Sequence, residues 1–396
     1  MNTNLKTKPK PFYLATVDIL QGICIFFFLI WHTMIWWDHN VDSTWPNLPI
    51  EAFGFMTVAL LIPPFFFFLY GFNTVNSLLR QKSIIFRQET RSRLIKKTII
   101  FFVIGEFSEG MAGIVVSPTH LMNYLLTWEL FHLFSFSTLV LLIVFEIAWY
   151  LERQRGWDYL YAARLILAII LTFIIVIFLI FHDYSGEVGI QGLYTKLNLE
   201  SIIERIWLED GQNPVIPWLS FPILGALVAV ILELPNEKKN SLLPKIRRIS
   251  LLGACSLVIG FLLLDREDYL APPILYPITS SFLFINLGCL ILVTLIMVLY
   301  IDIHSNQIII KVTSPIILIS NISLTTFIIH NVAYVIPPDL PLVRTLMPSL
   351  SAVMLVGVLY CIFFILVAFF WNKWNFKFSV EWMIWKLQRI PWGRSK

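Results

Sequence analysis

The sequence VDILQGICIFFFLIWH, residues 17–32, is an apolar run in which Asp18, Gln21 and His32 are the strongly polar side chains. With its flanks it forms an apolar stretch over 14–37, and about 20 apolar residues suffice for a helix to cross a bilayer. Similar runs recur down the chain, in which 58% of the 396 residues are hydrophobic and 14% are charged. Soluble globular proteins are less apolar. The sequence therefore predicts an all-α, polytopic transmembrane helix bundle.

About ten transmembrane helices are predicted from the apolar runs. The second contains Pro63 and Pro64, which remove two backbone donors and should kink it. We assign residues 1–371 to one transmembrane domain and residues 372–396 to a cytoplasmic amphipathic tail. Tryptophans and lysines are interspersed in that tail, as in helices at a membrane interface. The predicted spans are 14–37, 52–79, 97–116, 125–150, 161–182, 214–234, 249–265, 277–300, 312–336 and 351–371.

The distribution of lysine and arginine predicts the orientation of these helices. If the N-terminus is inside, four of the 29 basic residues lie on the outer side and all the others lie on the inner side. Basic residues are strongly enriched in the inner loops of membrane proteins. We therefore expect both termini inside. The four outer basic residues are Lys196, Arg205, Arg266 and Arg344.

The first helix carries polar residues along one face. Asp18, Gln21, His32 and His39 fall within about 60° of one another when each residue turns the helix by about 100°. Ionisable groups inside a membrane are costly and usually functional. This face therefore predicts a polar track across the bilayer, with His32 near its outer end and His39 just beyond.

Three other predicted helices carry polar pairs at similar depth. Folded together, these pairs would form a polar pocket in the outer half of the membrane and could bind a substrate. The alternative for His132 and His330 is a hydrogen bond to a neighbouring helix. The pairs are Glu106 with Glu109, Glu129 with His132, and His330 with Asn331.

No metal site and no nucleic-acid partner are predicted. The four cysteines lie in apolar runs without the CxxC spacing of zinc sites, and no two histidines have the HExxH spacing. The chain also lacks the GxSxG, Walker and GxGxxG patterns, which argues against soluble-hydrolase and nucleotide-binding folds.

Five stretches of the chain follow one another in the order typical of a known family. They resemble motifs of the integral-membrane acyltransferases, in particular the branch of heparan-α-glucosaminide N-acetyltransferase, which is related to the acyltransferase-three family. The stretches are VDILQGICIFFFLIWH (17–32), IPPFFFFLYGFN (62–73), TWELFHLFSFSTLV (127–140), NPVIPWLSFPILGALV (213–228) and ISLTTFIIHNVAYV (322–335).

This resemblance implies a reaction between substrates on opposite sides of the membrane. Acyl-CoA, acetyl-CoA in that branch, would bind from the cytoplasm, and its acyl group would pass to an amine or hydroxyl outside, commonly of a glycan. His32 matches a family histidine and Asp18 a family aspartate. His39 more nearly matches the histidine that the heparan branch places after this helix. An imidazole could act as nucleophile or as general base.

Further residues match the family, and one departs from it. His330 and Asn331 match a conserved histidine motif, and Trp218 and Gly225 match the Pro-Trp stretch. Gln21 stands where the family has arginine, so hydrogen-bonding capacity is kept and the charge is lost. Another basic residue could replace that charge; otherwise the chain has changed its donor or lost activity.

The basic segment 80–97 has two interpretations. It could follow from the orientation of the protein and from attraction to anionic lipid. Alternatively it could bind the 3′-phospho-ADP part of CoA, with Arg80, Arg91, Arg93 and Lys96 as ligands. The sequence leaves both open.

The main alternative to an acyltransferase is a transporter or flippase, because a polar track and a proline-broken helix also suit substrate passage. The expected partners are the lipid bilayer, acyl-CoA and an extracytoplasmic glycan or other small acceptor; a homodimer is left open. Without an organelle signal, we expect a prokaryotic plasma membrane.

Overall fold

A computed structural model of the chain describes residues 14–37, 61–79, 84–116, 130–181, 215–233, 239–264, 279–304, 306–330 and 350–389. These residues are helical and contain no strand, which confirms the all-α class for the part described. The helices are α1 (Ala15–Trp37), α2 (Ile62–Leu79), α3 (Ile84–Val116), α4 (Leu130–Arg155), α5 (Tyr159–Phe181), α6 (Val215–Trp218), α7 (Ser220–Leu232), α8 (Lys239–Leu262), α9 (Ser280–Met297), α10 (Gln307–Val312), α11 (Ser314–Ser320), α12 (Ser323–His330), α13 (Leu350–Asn372) and α14 (Val380–Arg389). A π-helical turn, Val298–Ile303, follows α9.

Six helical stretches among the described residues are long and apolar enough to cross a membrane. The stretch Val215–Leu232 is 89% buried inside the protein, whereas Tyr159–Ile180 is only 22% buried. The exposed faces of such helices are themselves apolar, as at Phe173, and an apolar exposed face suits lipid rather than water. The protein is therefore an integral membrane protein. The other four stretches are Ala15–Met34, Phe131–Arg155, Ser280–Ile303 and Ser351–Asn372.

The central helix α7 packs against α2 through two glycines. A Cβ atom on Gly225 would clash with the carbonyl oxygen of Phe68, and one on Gly71 would clash with that of Pro222. Small residues let helix backbones approach closely where no hydrophobic driving force acts between helices. Gly225 thus has a packing role, independent of any chemistry.

Helix α1 lies between α11 and α13. Gly22 approaches the backbone of Ile316, and a Cβ on Gly357 would lie 3.0 Å from the Cα of Ile30. At the start of α1, Asp302 accepts hydrogen bonds from the backbone N–H groups of Ala15 at 2.9 Å and Thr16 at 3.4 Å. These bonds satisfy donors that a helix N-terminus leaves without an intrahelical partner, so the register of α1 is fixed at its first turn.

Three elements differ from the sequence prediction. The basic segment 80–97, which connects two predicted spans, is helical from Ile84 onward; its Arg, Lys, Gln and Glu residues are good helix formers. The described part of the predicted ninth span, 312–336, is divided into α11 and α12 by a break at 321–322, and the short helix α10 precedes it. Pro63 and Pro64 lie in the first turn of α2, where proline is tolerated. The residues before Leu61, where the rest of the predicted kinked helix would lie, are outside the described part.

The tail forms a turn and then α14, which packs on α3 and α12. Ser379 is fully buried and its hydroxyl accepts from the backbone N–H of Trp382 at 3.1 Å, which caps the helix. Ile384 is buried, whereas Trp385 and Leu387 are exposed. This helix is therefore amphipathic, and its buried side faces the other helices.

Candidate active site

Two histidines meet where α1 packs against α12. The ring centroids of His32 and His330 are 5.1 Å apart, and the rings are nearly perpendicular. His330 is 1% exposed, and His32 is half-buried. The structure therefore brings together two residues that lie on the first and ninth predicted spans.

Both imidazoles are held by bonds to their own helices. Nδ1 of His32 lies 3.0 Å from the carbonyl oxygen of Phe28, and Nδ1 of His330 bonds the carbonyl oxygen of Phe327. A carbonyl oxygen can only accept, so each Nδ1 carries a hydrogen. In the neutral imidazole the lone pair is then on Nε2, which makes Nε2 the basic atom of each ring.

Phenylalanine rings surround this histidine pair. The ring of Phe28 lies 3.9 Å from His32, 4.6 Å from His330 and 5.0 Å from Phe327, measured between centroids. On the far side of Phe327, Phe131 of α4 approaches edge-on at 5.2 Å. These rings give the imidazoles apolar surroundings, in which electrostatic interactions are stronger than in water.

A cavity of about 570 Å³ lies beside this aromatic layer. Phe327 lines it and also contacts the ring of His330, at 5.1 Å between centroids. The cavity wall comes from α1, α2, α3, α4, α11, α12 and α14, so elements far apart in sequence build it together. Its polar lining consists of Gln21, Tyr70, Asn73, Thr74, Ser77, Arg93, Lys97, Ser320, Asn321, Ser323, Glu381 and Gln388.

Gln21 lies at the opposite end of this region from the histidines. Its Nε2 donates to Oγ of Ser323 at 2.6 Å, which ties α1 to the start of α12. Gln21 and His32 are about three helical turns, roughly 16 Å, apart on α1. The polar face predicted on this helix therefore runs from the cavity to the histidine pair.

The C-terminal helix α14 forms one wall of the cavity. The carboxylate of Glu381 accepts hydrogen bonds from the N–H groups of Leu324 at 2.6 Å and Thr325 at 3.2 Å, and from the hydroxyl of Thr325 at 2.6 Å. Burial raises the pKa of Glu381, although these hydrogen bonds act in the opposite direction. The backbone of Gln388 also accepts from Nζ of Lys96 at 3.3 Å.

A third histidine forms a separate pair with a glutamate. Nε2 of His132 lies 3.2 Å from Oε1 of Glu106, and His132 is 2% exposed. The ring fits because Gly105 has no side chain; a Cβ there would lie 2.9 Å from Cε1 of His132. This pair joins α3 to α4, and such an interhelical contact is the predicted alternative to substrate binding for His132.

The remaining predicted residues are distributed as follows. Asp18 is half-buried on α1, and Arg91 is exposed. Arg93 lines the cavity and forms an ion pair with Glu89 at 3.2 Å. Lys96 is buried against α14. Glu109 is described only as part of the backbone of α3, and the predictions for His39, Arg80, Glu129 and Asn331 lie outside the described residues.

Several cavity residues were not among the predicted site residues. Tyr70, Ser323 and Phe327 belong to stretches that carried the family resemblance, but no polarity pattern distinguishes them. Lys97 was counted only as part of the basic segment. Glu381 lies in the tail, far from any predicted site, and its pairing with α12 has no local sequence signal.

Comparison with known proteins identifies the family of the chain. A family model described as an acyltransferase domain, that of the acyltransferase-3 family, matches residues 14–373. The match covers α1, α12 and the start of the tail, and so includes the histidine pair and most of the cavity wall. Comparison with curated proteins finds no match. The chain therefore belongs to the acyltransferase-3 family of membrane acyltransferases.

Proposed function

We propose that this acyltransferase takes its acyl group from cytoplasmic acyl-CoA, with acetyl-CoA as the first donor to test. The acyl group would pass to an amine or hydroxyl of an extracytoplasmic acceptor, for which a glycan is the leading candidate. The observation that carries the proposal is the contact between Phe327, which lines the cavity, and the ring of His330 beside His32. Within the family we place the chain near the heparan-α-glucosaminide N-acetyltransferase branch, on the resemblance of its motifs.

This reaction needs a membrane topology with ten spans and both termini in the cytoplasm. It is supported by the excess of lysine and arginine in the predicted inner segments. In that orientation the basic start of α3 and the helix α14 face the cytoplasm, and His32 lies toward the outer side. A prokaryotic plasma membrane is the proposed location.

The donor would reach the histidines along α1. The rise of roughly 16 Å between Gln21 and His32 calls for a long, thin group, and the pantetheine arm of CoA has this shape. Its amides would form hydrogen bonds with polar residues of the cavity, such as Asn73 and Asn321. Its thioester would then meet the aromatic layer around Phe28 and Phe327.

His32 is the proposed catalytic residue. As a general base, its Nε2 takes the proton from the acceptor hydroxyl or amine, whose oxygen or nitrogen attacks the thioester carbonyl carbon. The carbon–sulfur bond breaks, and the thiolate of CoA receives the proton. As a nucleophile, Nε2 would itself form the bond to the acyl carbon, releasing CoA before the acceptor attacks.

The proposal is tested with detergent-purified, full-length protein and acetyl-CoA, with thiol release as the readout. Wild-type protein should release CoA once an acceptor is supplied, and His32→Ala should not. If isotope-labelled acetyl remains on the protein without an acceptor, His32 acts as a nucleophile; if no label remains, it acts as a base. Failure of the wild-type protein both to bind CoA and to release it would contradict the proposal.

A transporter is the second candidate, because a polar cavity joined to a polar helix face also suits substrate passage. The same assay separates the two, since a transporter moves its substrate without consuming a thioester. A relative that has lost activity would bind CoA without turning it over. Gln21, at the position of the family arginine, would then be the first residue to restore.

A further inference from the structure

Lys97 places its charge inside the cavity. It follows Arg93 by one turn on α3, and both residues line the cavity. Nζ of Lys97 lies 4.2 Å from the ring centroid of Tyr70 and 5.3 Å from that of Phe101. These rings hold the ammonium group by cation–π attraction, so it stays at the cavity wall.

The other charged groups of the cavity already have partners. Arg93 forms its ion pair with Glu89, and the carboxylate of Glu381 is held by α12. Among the described residues, no carboxylate lies within ion-pair distance of Nζ of Lys97. A partly buried cation with aromatic neighbours and no counter-ion is suited to an anionic ligand, because a charge in such a site is poorly screened.

Gln21 lines the same cavity and carries no charge. Its amide is engaged with Ser323 at 2.6 Å, and it stands where the resembled family has arginine. The positive charge of the cavity therefore comes from α3 rather than from α1. This difference makes Lys97 the residue to which an anionic part of a substrate would bind.

We propose that Lys97 binds the diphosphate of the CoA donor. The inference rests on the proposed function, because it assumes that the cavity takes CoA. Lysine binds phosphate as a compact point charge. With the diphosphate near Lys97, the pantetheine arm would extend past Phe101 and Phe327 toward the histidine pair.

The experiment measures the equilibrium binding of two probes, CoA and pantetheine, to purified full-length protein. Lys97→Gln should weaken CoA binding by about tenfold or more, since charged hydrogen bonds contribute about 1.5–3 kcal/mol. It should leave pantetheine binding unchanged, because pantetheine has no diphosphate. Lys97→Arg should keep most of the CoA affinity. Added salt should weaken CoA binding less in Lys97→Gln than in the wild type.

Lys373→Gln is the matched control. Lys373 also lies over aromatic rings, with Nζ 5.2 Å from the centroid of Phe370, but it does not line the cavity. This variant should bind CoA like the wild type, and thermal unfolding checks that every variant is folded. Equal CoA binding by folded Lys97→Gln and wild type would overturn the role of Lys97 and leave the proposed function standing. An equal loss of CoA and pantetheine would overturn the diphosphate assignment. If wild-type protein binds no CoA, the proposed function itself fails.

Discussion

The rings of His32 and His330 lie edge to face, with 5.1 Å between their centroids. Each ring donates its Nδ1 hydrogen to a carbonyl of its own helix, which leaves both Nε2 atoms as the basic ones. Two imidazoles in the same tautomer at this distance could both take part in one reaction. His32 would act on the substrate, and the ring of His330 would hold the ring of His32 in place.

Replacing His32 by alanine should reduce acyl transfer by about a hundredfold or more, the usual effect of losing a general base. CoA binding should change little, because His32 does not line the cavity. Thiol release from acetyl-CoA and equilibrium CoA binding measure the two effects. The matched control is His304→Ala, because His304 also bonds a carbonyl of its own helix through Nδ1, at 2.6 Å from Leu299, but is exposed. Equal loss of activity in both variants would refute a catalytic role for His32.

Replacing Glu381 by alanine should detach α14 from the cavity wall. Three donors of Leu324 and Thr325 lose their acceptor, and an unsatisfied buried group costs about 1–3 kcal/mol. Hydrogen exchange at the amides of α14 and at Leu324 should accelerate, compared with wild-type protein. Unchanged protection of these amides would show that other contacts hold the helix.

The docking of α14 should also depend on pH. The pKa of Glu381 in the folded protein is raised by burial, relative to about 4.3 for an exposed glutamate. The contribution of protonated Glu381 to stability is fully present at pH values below its pKa in the unfolded state. This contribution is lost as the pH rises through its pKa in the folded state. Protection factors of the α14 amides should therefore fall as the pH rises through the folded pKa. Glu381→Gln, which stays neutral, should keep the helix docked and remove this dependence.

The sequence predicted well which described segments form apolar helices, because hydropathy measures how strongly a residue favours an apolar environment over water. Several described helices begin and end near the predicted bounds, as in α5, Tyr159–Phe181 against 161–182, whereas α3 and α8 begin at Ile84 and Lys239, well before the predicted starts at 97 and 249. The one-face pattern on α1 was also informative, since it linked Gln21 to His32. The ten-span count and the orientation stay predictions, because six of the described stretches are clearly long and apolar enough to cross.

The cavity could not be predicted in the same way. It depends on contacts between residues about 300 positions apart, such as Gln21 with Ser323, and these leave no periodic signal. The helical start of α3 was missed because charged residues at a membrane surface resemble a loop on a hydropathy scale. Glu381 was missed for a similar reason, since one acidic residue in a basic tail has an ordinary solvated interpretation.

The contact of α2 with α7 should be sensitive to a single methyl group. In Gly225→Ala the new Cβ would clash with backbone atoms of Phe68 and would lie 3.0 Å from the backbone nitrogen of Phe72. Overpacking of this kind costs about 1–3 kcal/mol, so the thermal midpoint should fall by several degrees. Gly253→Ala is the matched control, because its Cβ meets the side chain of Ile291 at 2.9 Å, which can move. A midpoint lowered equally in both variants would contradict the special role of Gly225.

Moving the positive charge of the cavity from α3 to α1 should restore CoA binding. In the Lys97→Gln background, Gln21→Arg adds a cation that lines the same cavity and keeps a donor for Ser323. We expect the double variant to recover at least part of the CoA affinity that Lys97→Gln loses, measured by equilibrium binding at low salt. Gln21→Leu in the same background is the control, because it is of similar length and has no charge. If the arginine variant binds CoA no better than the leucine variant, the two positions are not interchangeable, and the charge must stand at Lys97 to meet the ligand.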